Sequence, residues 1–202
     1  MIETKIQLSR AEMDLMCDTN VILTKNKVLE KIRLLLELMQ QQMVDYVKAN
    51  NDLARLNIFQ IPPKISKGEN YLGLPYLILD YPRVFQQNET FAIRTFFWWG
   101  SFFSSTYHVA GNYKNEVQHK IEDAYPLLMT DHYLCINPDP WQHHFKEDNY
   151  LPIKAFKEEQ FKNQLSSLEH IKIAAKWPLT KWDSSATTLL KNWKFFLQMY
   201  LT

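Results

Sequence analysis

Glycine is nearly missing from this chain: Gly68, Gly73, Gly100 and Gly111 are the only four in 202 residues. Their spacing builds neither a P-loop nor a G-x-G-x-x-G turn, which excludes those phosphate-cradling loops. Cysteine is scarcer still. Cys17 and Cys135 form no C-x-x-C pair and no disulfide framework, so they read as free thiols in a reducing compartment. An excess of one charge is also absent. Lys plus Arg number 23 against 22 for Asp plus Glu, a net charge of +1, too little to draw in a phosphate backbone, so nucleic acid is not an expected partner.

Long apolar runs are lacking as well. The stretch 95–113 carries no formal charge, but Ser101, Ser104, Ser105, Thr106, His108 and Asn112 interrupt it, whereas a membrane span needs roughly 20 predominantly apolar residues. Met1 to Ser9 has no basic region followed by an apolar core, so no secretory leader is expected. The expectation is a soluble, cytoplasmic chain with no membrane partner.

What the chain does have is aromatic material, 14% of its residues, within a composition that is 46% hydrophobic and 22% charged. Those values suit a packed core, and the length suits a single globular domain over 1–202.

Ser9-Arg10-Ala11-Glu12 has the form of a capping box and predicts a short helix from about Ser9 to Cys17. Val28, Ile32, Leu35, Met39, Met43 and Tyr46 recur at three or four positions, which predicts a long helix over about 26–49, with Asn26 as a candidate cap. Pro62-Pro63 followed by Lys64, Ser66, Lys67 and Gly68 reads as a loop. Strands are expected near 71–81, 91–98, 102–110 and 133–136, the second and third joined around Gly100. On 91–98, Ile93, Thr95 and Phe97 point one way, and Ala92, Arg94, Phe96 and Trp98 the other. Asn115 to Asp123 and Ala155 to Leu168 look helical, and 170–177 is ambiguous between strand and helix. A last helix, capped by Asp183 or Ser184, runs through Leu189, Trp193, Phe196 and Tyr200. Helices at both ends of a run of strands predict an α+β fold, with a central antiparallel or mixed sheet packed by the long N-terminal helix and the C-terminal helices.

Three groups of residues could carry chemistry. His108, His132, His143 and His144, with Asp131, Asp139, Glu147 and Asp148 near them, offer ligands for a divalent metal. No HExxH and no His-x-Asp pair supports that set, and ordinary loop and surface histidines are the plainer reading of it. Asp80 and Arg83 follow an apolar strand, where Arg83 could grip a carboxylate and Asp80 could act as acid or base. A local turn pair is the plain alternative. Trp98, Trp99 and Trp141 could stack a planar ligand or bury themselves in a protein partner, or they could be core. No nucleophile elbow is present.

The favoured reading is a non-catalytic ligand-binding or protein-interaction domain that uses the aromatic-rich sheet and the strand-end loops. Its partner would be a small molecule or a protein, including a second copy in a homodimer. The alternative is an enzyme, metal-dependent or not, with a His/Asp/Arg site.

Overall fold

The computed structural model describes residues 6–201. Its frame is one seven-stranded antiparallel sheet built from β1 (Lys64–Tyr71), β2 (Leu74–Phe85), β3 (Thr90–Trp98), β4 (Phe102–Ala110), β5 (Tyr133–Cys135), β6 (Tyr150–Pro152) and β7 (His170–Pro178). The order across the sheet is β1-β2-β3-β4-β7-β5-β6. The helices are α1 (Arg10–Cys17), α2 (Thr19–Lys48), α3 (Asn51–Arg55), α4 (Asn112–Asp123), α5 (Tyr125–Leu128), α6 (Glu158–Ser167) and α7 (Trp182–Leu201). This is the α+β arrangement expected.

The main core forms on one face of the sheet. Leu77 and Leu79 of β2, Phe91, Ile93 and Phe97 of β3, Tyr107 and Val109 of β4, and Ile171 and Ile173 of β7 meet Ile32, Leu36, Met39, Met43 and Val47 of α2 and Leu189, Trp193 and Phe196 of α7. Helical spacing puts those α2 residues on one stripe, and strand alternation sends every second strand residue toward them. Burying a side chain of this size contributes about 1.5–3 kcal/mol, so this layer dominates the fold's stability.

Local chemistry places the ends. The Ser9 capping box forms as read: Ser9 Oγ accepts from Glu12 N, and the Glu12 carboxylate accepts from Ser9 N at 2.7 Å. The long helix starts earlier than expected, because Asp18 rather than Asn26 caps it by accepting from Asn20 N at 2.9 Å. Its first turns carry Val21, Ile22 and Leu23 exposed, so no burial pattern marked them. The segment read as a loop after Pro62-Pro63 is β1, a polar strand at the edge of the sheet that pairs, among the described residues, with β2 alone. The ambiguous 170–177 segment is β7, an inner strand between β4 and β5.

The opposite face of the sheet is covered by the loop 136–149, hereafter the strap. Ile136 N donates to Asn149 O at 2.8 Å and Asn137 Nδ2 to Asp148 O at 3.1 Å, which close the strap at its base. Tyr71 Oη accepts from the backbone N–H of His143 at 2.7 Å and of His144 at 3.0 Å, which pins its middle.

Candidate functional site

Alternation along four inner strands sets a row of polar side chains on the strapped face. Asp80 of β2, Arg94 of β3, Thr106 and His108 of β4, and His170 and Lys172 of β7 all lie on the side opposite the helices, as their cross-strand registers require. The strap adds His143 and Trp141. Asp80, Thr106, His108, His170 and Lys172 are all buried, an unusual density of polar groups for the interior of a sheet face.

Arg94 organises the near side. Its Nε donates to Asp80 Oδ1 at 2.8 Å and its Nη2 to Asp80 Oδ2 at 2.9 Å, a bidentate pair in which both side chains are nearly buried. Arg94 Nη1 also lies 3.2 Å from His143 Nε2. A guanidinium only donates, so Nε2 of His143 is the acceptor and the ring is the neutral tautomer protonated at Nδ1. Burial first, then the charges of Arg94 and Lys172, hold His143 well below the usual imidazole range.

Lys172 organises the far side. Although it is 1% exposed, its Nζ donates to Pro140 O at 2.6 Å and to Gln142 O at 2.8 Å. The strap is therefore tied to β7 by an ammonium that has one N–H left over. Tyr150 offers its ring face 5.4 Å from the same nitrogen. Burial, with Arg94 adding repulsion, brings the Lys172 pKa down to about 8. His108 is held well below the imidazole range by burial and by Lys172, His170 and Arg94. His170 is lowered to about 4, by burial first and then by Lys172. His170 Nε2 is buried with no hydrogen-bond partner.

Phe85, Ala92, Arg94, Thr106, His108, Pro140, His143 and Lys172 enclose a cavity of about 10 Å³. That volume holds one water molecule at most, so any larger guest must lift the strap. Trp141 is half-exposed over this cavity, with its ring 5.8 Å from that of His108 and 6.0 Å from the Arg94 guanidinium.

Of the residues proposed from sequence, the structure brings Asp80, Trp141, His108 and His143 to this face. Arg83 lies apart: across the irregularity that separates it from Asp80 in the β2–β3 register, its Nε donates to Pro62 O at 2.7 Å. Trp98 lies farther along the same face in an aromatic cluster with Phe96 and Phe102, its indole N–H donating to Tyr71 O at 3.2 Å. Trp99 packs on the helix side. The four histidines do not converge. His132 faces α7, with Nε2 3.1 Å from Asn192 Nδ2 and its ring against Phe195 and Phe196. His144 Nδ1 accepts from Lys146 N at 3.4 Å within the strap. Among the described residues no three His, Cys, Asp or Glu side chains form a group able to hold a metal, because adjacent residues on an extended chain point apart and the two faces of a sheet cannot share a ligand set.

Sequence reasoning missed Arg94, Lys172 and His170 as site residues. A signal existed for Lys172: in Ile171-Lys172-Ile173 a lone lysine alternates with apolar residues, the pattern of a strand whose second face is polar. No family model, curated protein or solved structure matches the chain.

Proposed function

We propose that the protein is a non-catalytic binding protein whose site is the strapped polar face, and that its ligand is a small anion of the carboxylate class. The observation that carries this reading is the charge count under the strap. Lys172 is a buried cation and Arg94 a nearly buried one, Asp80 is the buried carboxylate beside them, and it is fully engaged by Arg94. Among the described residues Lys172 thus has no buried counter-ion; the Asp139 carboxylate of the strap acts on it only from the exposed side, and an anion entering this low-dielectric setting gains most.

The surroundings are donor-rich. The third N–H of Lys172 and the ring nitrogens of His108 and His170 can face an anion, whereas the Thr106 hydroxyl is taken up by Tyr150. Trp141 on the strap supplies an apolar cover. The neutral imidazoles add a further property: an anion stabilises their protonated forms, so binding takes up protons. Free Cys17 and Cys135 suit a reducing compartment, and the cytoplasm is the setting this reading assumes.

The test is a thermal-shift and calorimetric titration with formate, acetate, bicarbonate and nitrate. Saturable binding of formate, acetate or bicarbonate, lost in Lys172→Met, supports the reading. Binding that survives Lys172→Met, or binding of none of these three, contradicts it.

A further inference from the structure

Helix α1 buries no residue at all, and the first buried residue of α2 is Ile32. Among the described residues, the segment from Arg10 to Val28 is thus a helical arm, interrupted at the extended Asp18, with no buried residue; Lys25 Nζ ties it to Glu69 Oε2 of β1 at 3.0 Å. It is not a polar arm. Met13, Leu15, Met16, Val21, Ile22, Leu23 and Val28 are between 36% and 65% exposed. On α2 the apolar positions continue the core stripe: Val28 and Leu29 stand four and three residues before Ile32, and Val21 and Ile22 one heptad before those. The same stripe that packs on the sheet beyond Ile32 runs on bare before it. At its root lies an apolar groove of about 410 Å³ lined by Val28, Ile32, Phe97, Trp99, Phe103 and Trp182.

We infer that the arm is an interface with a second copy of this chain, the two arms running antiparallel about a two-fold axis. Charge selects this occupant. Residues 10–18 contain Arg10 against Glu12, Asp14 and Asp18, a net charge of −2, whereas residues 19–28 contain Lys25 and Lys27 and no acid; Lys25 pairs with Glu69 of β1 at 3.0 Å, and Lys27 is the cation this half offers a partner. Antiparallel pairing sets the acidic half of each arm against the basic half of the other, and parallel pairing sets like against like. The geometry is self-complementary, since each arm reaches past its partner's arm toward the groove at the partner's root. The seven side chains expose on the order of 600 Å² per copy, approaching the ~800 Å² per partner of a standard interface, and Trp182 at the groove adds to it. An anionic membrane surface fits poorly, because the acidic half of the arm would be repelled.

The experiment is sedimentation equilibrium of the full chain across the micromolar range. The expected mass is twice the 24.1 kDa of one chain. Met16→Asp with Ile22→Asp, both at exposed positions, is expected to weaken the dimer at least a hundredfold with an unchanged circular dichroism spectrum. Asp14→Lys and Lys27→Glu are each expected to weaken it about tenfold, and the double reversal to restore it. A monomer at every concentration overturns the inference, as does a dimer indifferent to the Asp substitutions. Dissociation by Asp with no rescue by the double charge reversal overturns the antiparallel arrangement. A monomer that sediments with phosphatidylserine vesicles assigns the arm to a membrane surface instead.

Discussion

Asp80 and Lys172 show how differently two buried charges can be held. Asp80 is satisfied by a guanidinium fork, so removing its charge strands Arg94 in the interior. Asp80→Asn is therefore expected to destabilise the fold by about 3 kcal/mol, the usual result of breaking a buried pair from one side, measured by urea unfolding. Lys172 has no carboxylate partner and spends two N–H groups on strap carbonyls. Lys172→Met removes an expensive buried charge together with two hydrogen bonds, so its net effect on global stability is expected within ~1 kcal/mol. Its local effect is larger: hydrogen exchange over 137–148 should accelerate at least tenfold while β3 and β4 stay protected. Unchanged exchange there would mean that Lys172 does not tether the strap. Gly111 is a third case. It has φ +64 at the β4–α4 junction, and an added Cβ would run into the Asn88 carbonyl. Gly111→Ala is expected to lower stability by ~1–3 kcal/mol, read by the same unfolding experiment, because an L side chain rarely adopts that backbone conformation.

At the scale of elements, legibility in the sequence tracked how much of each signal was local. The Ser9–Glu12 box depends on four consecutive residues, and the α2 stripe on spacing alone, so both were readable. The inner strands β3 and β4 were readable from β-branched and aromatic density and the break at Gly100. The edge strand β1 was not, because Lys64, Lys67 and Gly68 carry loop chemistry and are held in a strand by pairing with β2. β7 was ambiguous because Lys172 and Lys176 interrupt its apolar run, and only the strap explains why a lysine sits there. The site was half legible for the same reason. Asp80, His108, His143 and Trp141 were singled out by type, whereas Arg94 and Lys172 become site residues through registers and a covering loop that no local spacing encodes. Strap and sheet are distant in sequence, so their meeting is a tertiary fact.

Across the whole molecule, the buried imidazoles set the pH dependence. His108, His132 and His143 are all lowered by burial, and His170 to about 4 from an ordinary 6.5. A group with a depressed folded pKa leaves the unfolded chain binding more protons between the two values. Its stability contribution is therefore complete above the unfolded pKa near 6.5 and is lost as pH falls toward 4. In carboxylate-free buffer, Tm is expected to fall by roughly 5 °C or more from pH 7 to pH 5, and His170→Gln is expected to flatten part of that slope. A Tm that holds constant over this interval would contradict the assignment of neutral, buried imidazoles. Under the proposed function the same groups link stability to binding, since an anion bound under the strap would raise their affinity for protons and offset the acid loss.

The most direct test of the central claim is calorimetry with formate, acetate and bicarbonate in turn at pH 8, where Lys172 is about half protonated, in two buffers of different ionisation enthalpy. A strapped anion site predicts a saturable one-to-one heat that differs between the buffers by a net uptake of protons, and loss of that heat in Lys172→Met. A saturable heat identical in both buffers, or no saturable heat, would contradict it.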